Sequence, residues 1–407
     1  MEDKFLKYSE LLLVRCLGIK KGQPLVISAP VEGINFIRIL SSKALELGVT
    51  DIYYDWYDDF LKHDQLINFS FDDISGSRFW NKSVYDEYAN KDAAFLMFVS
   101  EDPDLMEDVD SKKIEVASKV NVSSRPIYKK RQLTNEIAWC IASISTYGWA
   151  SKIFKSDDCV DKLWDLIFDI CYINDDDPIL SWNKNLISSS IYSSKLNDLN
   201  LRELHYTNGL GTDLVVGLSC NTIWYGAGEK MPDDTPIICN MPTFEIFTTP
   251  NRLMTNGVVF NSKPLVYNGS IIDDFWIEFH DGMVVNFDAG SGRDVLEGII
   301  KGDANSCYLG EVALVNYDSP ISNSGIIFYT TLLDENASCH LALGAGFPNS
   351  LSDTHGKSVD ELINMGINMS DVHVDFMIGT SDLKISGVTY DGTEVLIFEN
   401  GNFVLDV

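Results

Sequence analysis

Histidine and aspartate stand two apart in Val372-His373-Val374-Asp375-Phe376, within a run that is otherwise apolar. On a strand, residues i and i+2 face the same way, so the imidazole and carboxylate project together while Val372, Val374 and Phe376 fill the opposite face. Such a pair suits a divalent ion or a share in a metal pair; a hydrogen-bonded surface pair fits the same residues. Glu245, in Phe244-Glu245-Ile246-Phe247, and Glu311, in Leu309-Gly310-Glu311-Val312-Ala313, are lone carboxylates in apolar surroundings. A carboxylate buried alone costs several kcal/mol unless it is paired or metal-bound, whereas one that faces solvent through the pleat does not. His340 ends the stretch Asp334-Glu335-Asn336-Ala337-Ser338-Cys339-His340, whose first residues predict the cap of a short helix over 335–343, with His340 a turn inside it. Gly344 and Gly346 then allow close backbone approach to a site; a tightly packed helix with a satisfied histidine is the plainer alternative. Three carboxylates and two imidazoles are about the number of protein ligands that two ions roughly 3.5–4 Å apart require.

The elements that must position these groups lie in the second half of the chain. Asp281-Gly282, Asp391-Gly392 and Asn400-Gly401 are each flanked by alternating apolar residues, a strong two-residue hairpin signal. The half after residue 200 is therefore expected to be a strand-rich α+β domain (201–407) with antiparallel hairpins and a second helix over 358–365. The first half reads differently. A helical stripe over 4–17 precedes short apolar strands at 24–28, 49–56 and 93–99, with a helix between the first two that ends at Gly48. That alternation predicts an α/β N-terminal domain (1–200) with a mostly parallel sheet. The acidic knot Asn174-Asp175-Asp176-Asp177-Pro178 reads as a solvated turn.

Composition narrows the function. Among 407 residues, 31 Lys and Arg face 60 Asp and Glu, a net charge of −29. A polyanion of this size repels phosphate backbones and acidic lipid, so neither nucleic acid nor membrane is expected as a partner. No apolar run approaches the roughly 20 residues that span a bilayer, and no basic, apolar leader opens the chain. Eight scattered cysteines without a Cys-x-x-Cys read as reduced thiols, and a cytoplasmic setting is expected. No Gly-x-Gly-x-x-Gly follows a strand, so no dinucleotide site is expected.

Asn240-Met241-Pro242-Thr243-Phe244-Glu245-Ile246-Phe247-Thr248-Thr249-Pro250 resembles the Asn-x-Pro-Thr-Glu-Glu-Val-Phe-Thr-x-Pro signature of the aminopeptidase T, aminopeptidase S and PepS family of metallopeptidases. Four further segments agree in order and spacing: Asn256-Gly257 through Lys263-Pro264-Leu265, Leu309-Gly310-Glu311, Asp334-Glu335-Asn336 through His340 and Gly344, and His373-Val374-Asp375 with Met377-Ile378-Gly379. The resemblance covers nearly the whole chain. It implies a homodimeric aminopeptidase that acts on short peptides with a free N-terminus. Its cofactors would be two divalent metal ions (Zn, Co, Mn or Mg), held by Glu245, Glu311, His340, His373 and Asp375. A hydroxide held by the two ions would attack the scissile carbonyl, and Glu311, or failing it Glu245, would carry the proton to the leaving amine.

One position departs from the pattern. Seven residues after the first histidine the family has a Tyr at the active site, and this chain has Phe347. The ring remains but the hydroxyl is gone, and losing one oxyanion donor typically costs on the order of 10²–10³ in turnover. Phe244 likewise replaces the first Glu of the Glu-Glu pair. The alternative reading is thus a divergent metal- or peptide-binding paralogue with weak or no peptidase activity.

Overall fold

The computed structural model describes residues 1–76, 79–100, 102–267 and 269–406, without the side chains of 79–83. The chain forms two compact units, Met1–Asn183 with Gly228–Thr243, and Lys184–Ala227 with Phe244–Val407.

In the first unit, four parallel strands, β1 (Leu25–Pro30), β2 (Ile52–Tyr57), β3 (Ala94–Val99) and β4 (Trp139–Ser143), lie in the order β2-β1-β3-β4. β1 and β3 are nearly continuous apolar runs because parallel strands are covered on both faces. The helix Ile34–Glu46 buries Phe36, Ile37, Leu40 and Ala44, the stripe read from the sequence. Gly48 follows it at φ +90°, a conformation glycine adopts at little cost. The N-terminal helix Glu2–Glu10 runs into a wider π-helical segment, Leu11–Cys16. Phe5 from this helix packs on Phe36 and Trp164, with ring centroids 5.3 and 4.8 Å away. The acidic knot is an exposed turn, where Asp177 accepts a hydrogen bond from the Leu180 amide at the start of the next helix. A short ribbon of β7 (Glu229–Lys230) and β8 (Pro236–Ile237) completes this unit, which β5 (Leu201–Thr207) and β6 (Asp213–Gly217) of the other unit precede in the chain.

The second unit is built from antiparallel strands. One sheet runs β11 (Leu265–Tyr267), β12 (Ser270–His280), β10 (Thr255–Phe260), β6 (Asp213–Gly217), β5 (Leu201–Thr207), β17 (Lys384–Thr389), β18 (Glu394–Glu399), β19 (Asn402–Phe403), with β13 (Met283–Ser291) also paired to β12. Asp281-Gly282 joins β12 to β13 and Asn400-Gly401 joins β18 to β19, every one of these four turn residues at positive φ. Asp391-Gly392 lies between β17 and β18.

The second sheet carries the residues of interest. Its order is β16 (His373–Met377), β15 (His340–Gly344), β14 (Leu309–Leu314), β9 (Ile246–Thr248), all antiparallel. Leu309, Val312, Leu314, Leu341, Leu343, Val374 and Phe376 enter the apolar core of the unit. The alternate residues of the same strands therefore face the other way.

The predicted helix over 335–343 is corrected here. Only Glu335–Ala337 forms a single tight turn, and His340 begins strand β15 instead of lying inside a helix. Every residue of β15 is buried between β14 and β16, and such a run lacks the alternation that marks a half-exposed strand. The second predicted helix is present as Val359–Asn364, with Ser358 and Glu361 forming a reciprocal capping box.

Candidate metal centre

The non-core face of the four-stranded sheet is a set of cross-strand rungs. Glu311 on β14 lies opposite Ala342 on β15, which lies opposite Asp375 on β16. The next rung sets Ala313 opposite His340, and His340 opposite Met377. His373 lies opposite Gly344. Neighbouring strands are about 4.8 Å apart, so Glu311 and Asp375 stem from backbones roughly 10 Å apart with only the Ala342 methyl between them. Both carboxylates approach the His373 imidazole. Glu245 immediately precedes β9, and the peptide before it is pinned by a 2.7 Å hydrogen bond from the Phe244 amide to the Asn336 side-chain carbonyl.

All five residues picked from the sequence come together. His340 Nε2 is 3.3 Å from Glu245 Oε2, and His373 Nε2 is 3.2 Å from Glu311 Oε2 and 3.3 Å from Asp375 Oδ1. Two groups, Glu245–Glu311–His340 and Glu311–His373–Asp375, each offer ligand atoms within 4.8 Å of one another, and Glu311 belongs to both. The far nitrogens are committed elsewhere. His373 Nδ1 is 2.8 Å from the Ala345 carbonyl and His340 Nδ1 is 3.3 Å from that of Ser338. A donating Nδ1–H fixes the tautomer and leaves the Nε2 lone pair for a cation.

Electrostatics fit the same purpose. Burial raises the Glu311 carboxyl to about 7, opposed by its bond to His373. Burial alone would lower His340, but the Glu245 bond and the charges of Glu245, Glu311 and Asp375 carry it up to about 10. His373 is likewise raised, the pull of Asp375 and Glu311 outweighing burial. For Asp375 burial acts upward, and the two imidazoles hold the carboxyl below its usual range. Among the described residues, buried Asp375 Oδ1 makes no well-formed hydrogen bond, although His373 Nε2 stands 3.3 Å from it. An unsatisfied buried carboxylate oxygen beside two imidazoles and two further carboxylates suits a divalent cation, whose ligands are oxygen and imidazole nitrogen.

Phe347 adjoins the cluster, its ring centroid 5.2 Å from that of His373 and 5.4 Å from that of Phe247. Thr249 Oγ1 accepts a 2.7 Å hydrogen bond from the Phe347 amide and fixes the backbone there.

Sequence reasoning missed Glu335. It is 9% exposed, accepts a hydrogen bond from the Asn336 side chain, and is raised well above the usual carboxyl range by burial and then by Asp375 and Glu245. Its signal was present as the middle of three consecutive polar residues in Leu333-Asp334-Glu335-Asn336-Ala337, all five of which are buried.

A parallel α/β sheet in one unit, and in the other a cluster of three carboxylates and two imidazoles on an antiparallel sheet, with Glu311 and His340 buried and His373 reaching the surface, define a class of protein built to hold divalent metal. The chain belongs to the thermophilic metalloprotease (M29) family, whose model matches residues 1–403. It is 37% identical over 409 residues to Aminopeptidase 2 of Geobacillus stearothermophilus, covering 100% of this chain and 99% of that one. To Aminopeptidase AmpS of Bacillus subtilis (strain 168) it is 36% identical, covering 98% of each. Its fold superposes on wild-type AmpT from Thermus thermophilus with a TM-score of 0.92 at 29% identity, over 99% of both chains. The resemblance read from the motifs and the expected fold class are thus both met. No described helix is long and apolar enough to cross a membrane, and all eight cysteines are free thiols.

Proposed function

We propose that this chain is a metal-dependent aminopeptidase that releases N-terminal residues from short peptides, using two divalent ions. The observation that carries the reading is Glu311, common to two carboxylate–imidazole groups, in a chain matched end to end by relatives named aminopeptidases. In this proposal Glu245 and His340 hold one ion, His373 and Asp375 the other, and Glu311 is within reach of both. When bound, such ions supply Lewis acidity, which lowers the pKa of a water and polarises a carbonyl. The mixed oxygen and imidazole donors suit Zn, Co, Mn or Mg.

The protein's own groups do the rest. The Ala345 and Ser338 carbonyls orient the two imidazoles. Glu311 would take a proton from the attacking water and return it to the leaving amine, a role we assign to it before Glu245. Phe347 offers a ring wall and no donor, so oxyanion stabilisation falls to other groups. A domain of residues 1–200, a catalytic domain of residues 201–407 and a homodimer in the cytoplasm belong to the same proposal. The non-catalytic paralogue is the weaker reading, given the names of the full-length relatives.

The test is metal analysis of the purified protein together with a panel of free and N-acetylated dipeptides. Bound metal and release of amino acids from the free peptides alone are expected. Equal hydrolysis of the acetylated peptides, or none of either with added Zn, Co, Mn or Mg, would overturn the reading. Ligand roles are checked separately: Glu311→Ala and His373→Ala are each expected to lower bound metal.

A further inference from the structure

The rung that holds His340 continues past the cluster. His340 lies opposite Ala313 on β14, and Ala313 lies opposite Phe247 on β9. Beyond β9, Phe247 and Tyr225 form an antiparallel bridge and exchange two backbone hydrogen bonds, each 2.9 Å. Residues directly opposite one another project to the same face, so Phe247 and Tyr225 stand on the face that carries the cluster. Ile246, the neighbour of Phe247, enters the apolar core on the other face. With strands about 4.8 Å apart, the Tyr225 backbone is roughly 14 Å from that of His340. Phe347 joins this row to the second imidazole. Ring centroids step 5.2 Å from His373 to Phe347, 5.4 Å on to Phe247 and 6.1 Å on to Tyr225. Phe347, Phe247 and Tyr225 are each half-buried, and the Tyr225 hydroxyl donates a 3.0 Å hydrogen bond to the carbonyl of exposed Asn349. A ledge of three uncharged rings thus leads from the metal-ligand set to the surface.

We infer that this ledge receives the side chain of the peptide's second residue, on the leaving side of the scissile bond, and favours a large apolar or aromatic one there. The inference rests on the aminopeptidase reading. The first residue ends at its own amine, so all of it stays close to the scissile carbonyl and the cluster. The chain after that carbonyl must lead away, and extended chain advances about 3.3 Å per residue. The ledge starts at a ligand imidazole and runs over three rings, a longer reach than one terminal side chain needs. It suits a chain that continues outward. Phe247 lies between Phe347 and Tyr225, so an apolar side chain resting on it meets aromatic carbon on more than one side. Ring contacts of this kind add to the gain from burial alone. A glycine at the second position would leave the rings facing water and forgo both terms.

The experiment measures kcat and KM of the metal-loaded protein on two dipeptide series, Ala-Xaa and Xaa-Ala, with Gly, Leu and Phe as Xaa. In the wild type, kcat/KM for Ala-Phe is expected to exceed that for Ala-Gly by at least about tenfold, the scale on which apolar contacts discriminate. Tyr225→Ala and Phe247→Leu should each cut that ratio by about threefold or more, the worth of a ring contact, and chiefly through KM. Tyr225→Phe, which keeps the ring and drops the bond to Asn349, should retain the wild-type ratio. The Phe-Ala to Gly-Ala ratio should stay where it is in Tyr225→Ala, because the first residue does not reach that ring. Three results would overturn the inference and leave the aminopeptidase reading standing. They are a wild-type Ala-Phe to Ala-Gly ratio near one, a ratio that neither Tyr225→Ala nor Phe247→Leu moves, and a fall confined to the Xaa-Ala series. An equal fall in Tyr225→Phe and Tyr225→Ala would assign the effect to the hydroxyl anchor and overturn it as well. No turnover of any dipeptide by the metal-loaded wild type would sink both readings.

Discussion

At Phe347 the proposed chemistry turns on a single oxygen atom, the hydroxyl that the motif resemblance leads one to expect there. Its ring lies against that of His373, with centroids 5.2 Å apart. Thr249 Oγ1 holds the backbone at this position. Phe347→Tyr is expected to raise kcat by about tenfold or more, against the 10²–10³ that removal of such a donor typically costs, with metal content unchanged. An unchanged or lower rate in a folded variant would remove the oxyanion argument. Glu335 makes a second prediction of two opposed signs. It is a buried carboxyl among three others and is raised by their charge. Glu335→Gln should raise the melting temperature of the metal-free protein by relieving repulsion, and weaken metal binding by removing negative charge from around the cation. Calorimetry with and without chelator reads both, and shifts of the same sign in the two states would refute the electrostatic role.

The site is a property of the sheet, and the sheet was only partly legible. The His373-x-Asp375 spacing gave its geometry directly, because a two-residue repeat on a strand leaves one outcome for two side chains. Glu245 and Glu311 were visible as acids in apolar runs. His340 was placed on the wrong element, since a fully buried central strand carries no alternation to tell it from a helix. The hairpins were legible because Asp-Gly and Asn-Gly meet a local backbone demand. Ala342 was invisible for the opposite reason. Its importance comes from register, which places it between Glu311 and Asp375, and register is a tertiary fact. Ala342→Leu should therefore push the two carboxylates apart. The expected result is loss of bound metal with the fold retained at a cost of about 1–3 kcal/mol, the usual range for overpacking. Full metal occupancy in that variant would show that the small residue does not shape the site.

Over the whole molecule, the surplus of acids and the cluster combine into one linked equilibrium. A net charge of −29 favours uptake of divalent cations from solution in general. The cluster adds a specific proton linkage. In the metal-free protein Glu311 is raised from the usual 4.5 to about 7 and His340 from 6.5 to about 10, so the folded state holds protons that the unfolded chain releases. Where the native state binds more protons, stability falls as pH rises. The Glu311 contribution is complete below about 4.5 and lost by about 7. The His340 contribution is complete below about 6.5 and lost by about 10. A divalent ion needs both groups deprotonated, so its binding expels these protons and its affinity rises with pH over the same interval. The melting temperature of the metal-free protein should thus fall from pH 6 to pH 9, while the increment produced by saturating metal grows. Titration calorimetry at pH 7 in buffers of different ionisation enthalpy should register protons released on metal binding. Metal affinity independent of pH across this range would mean that the imidazole–carboxylate cluster is not where the metal binds.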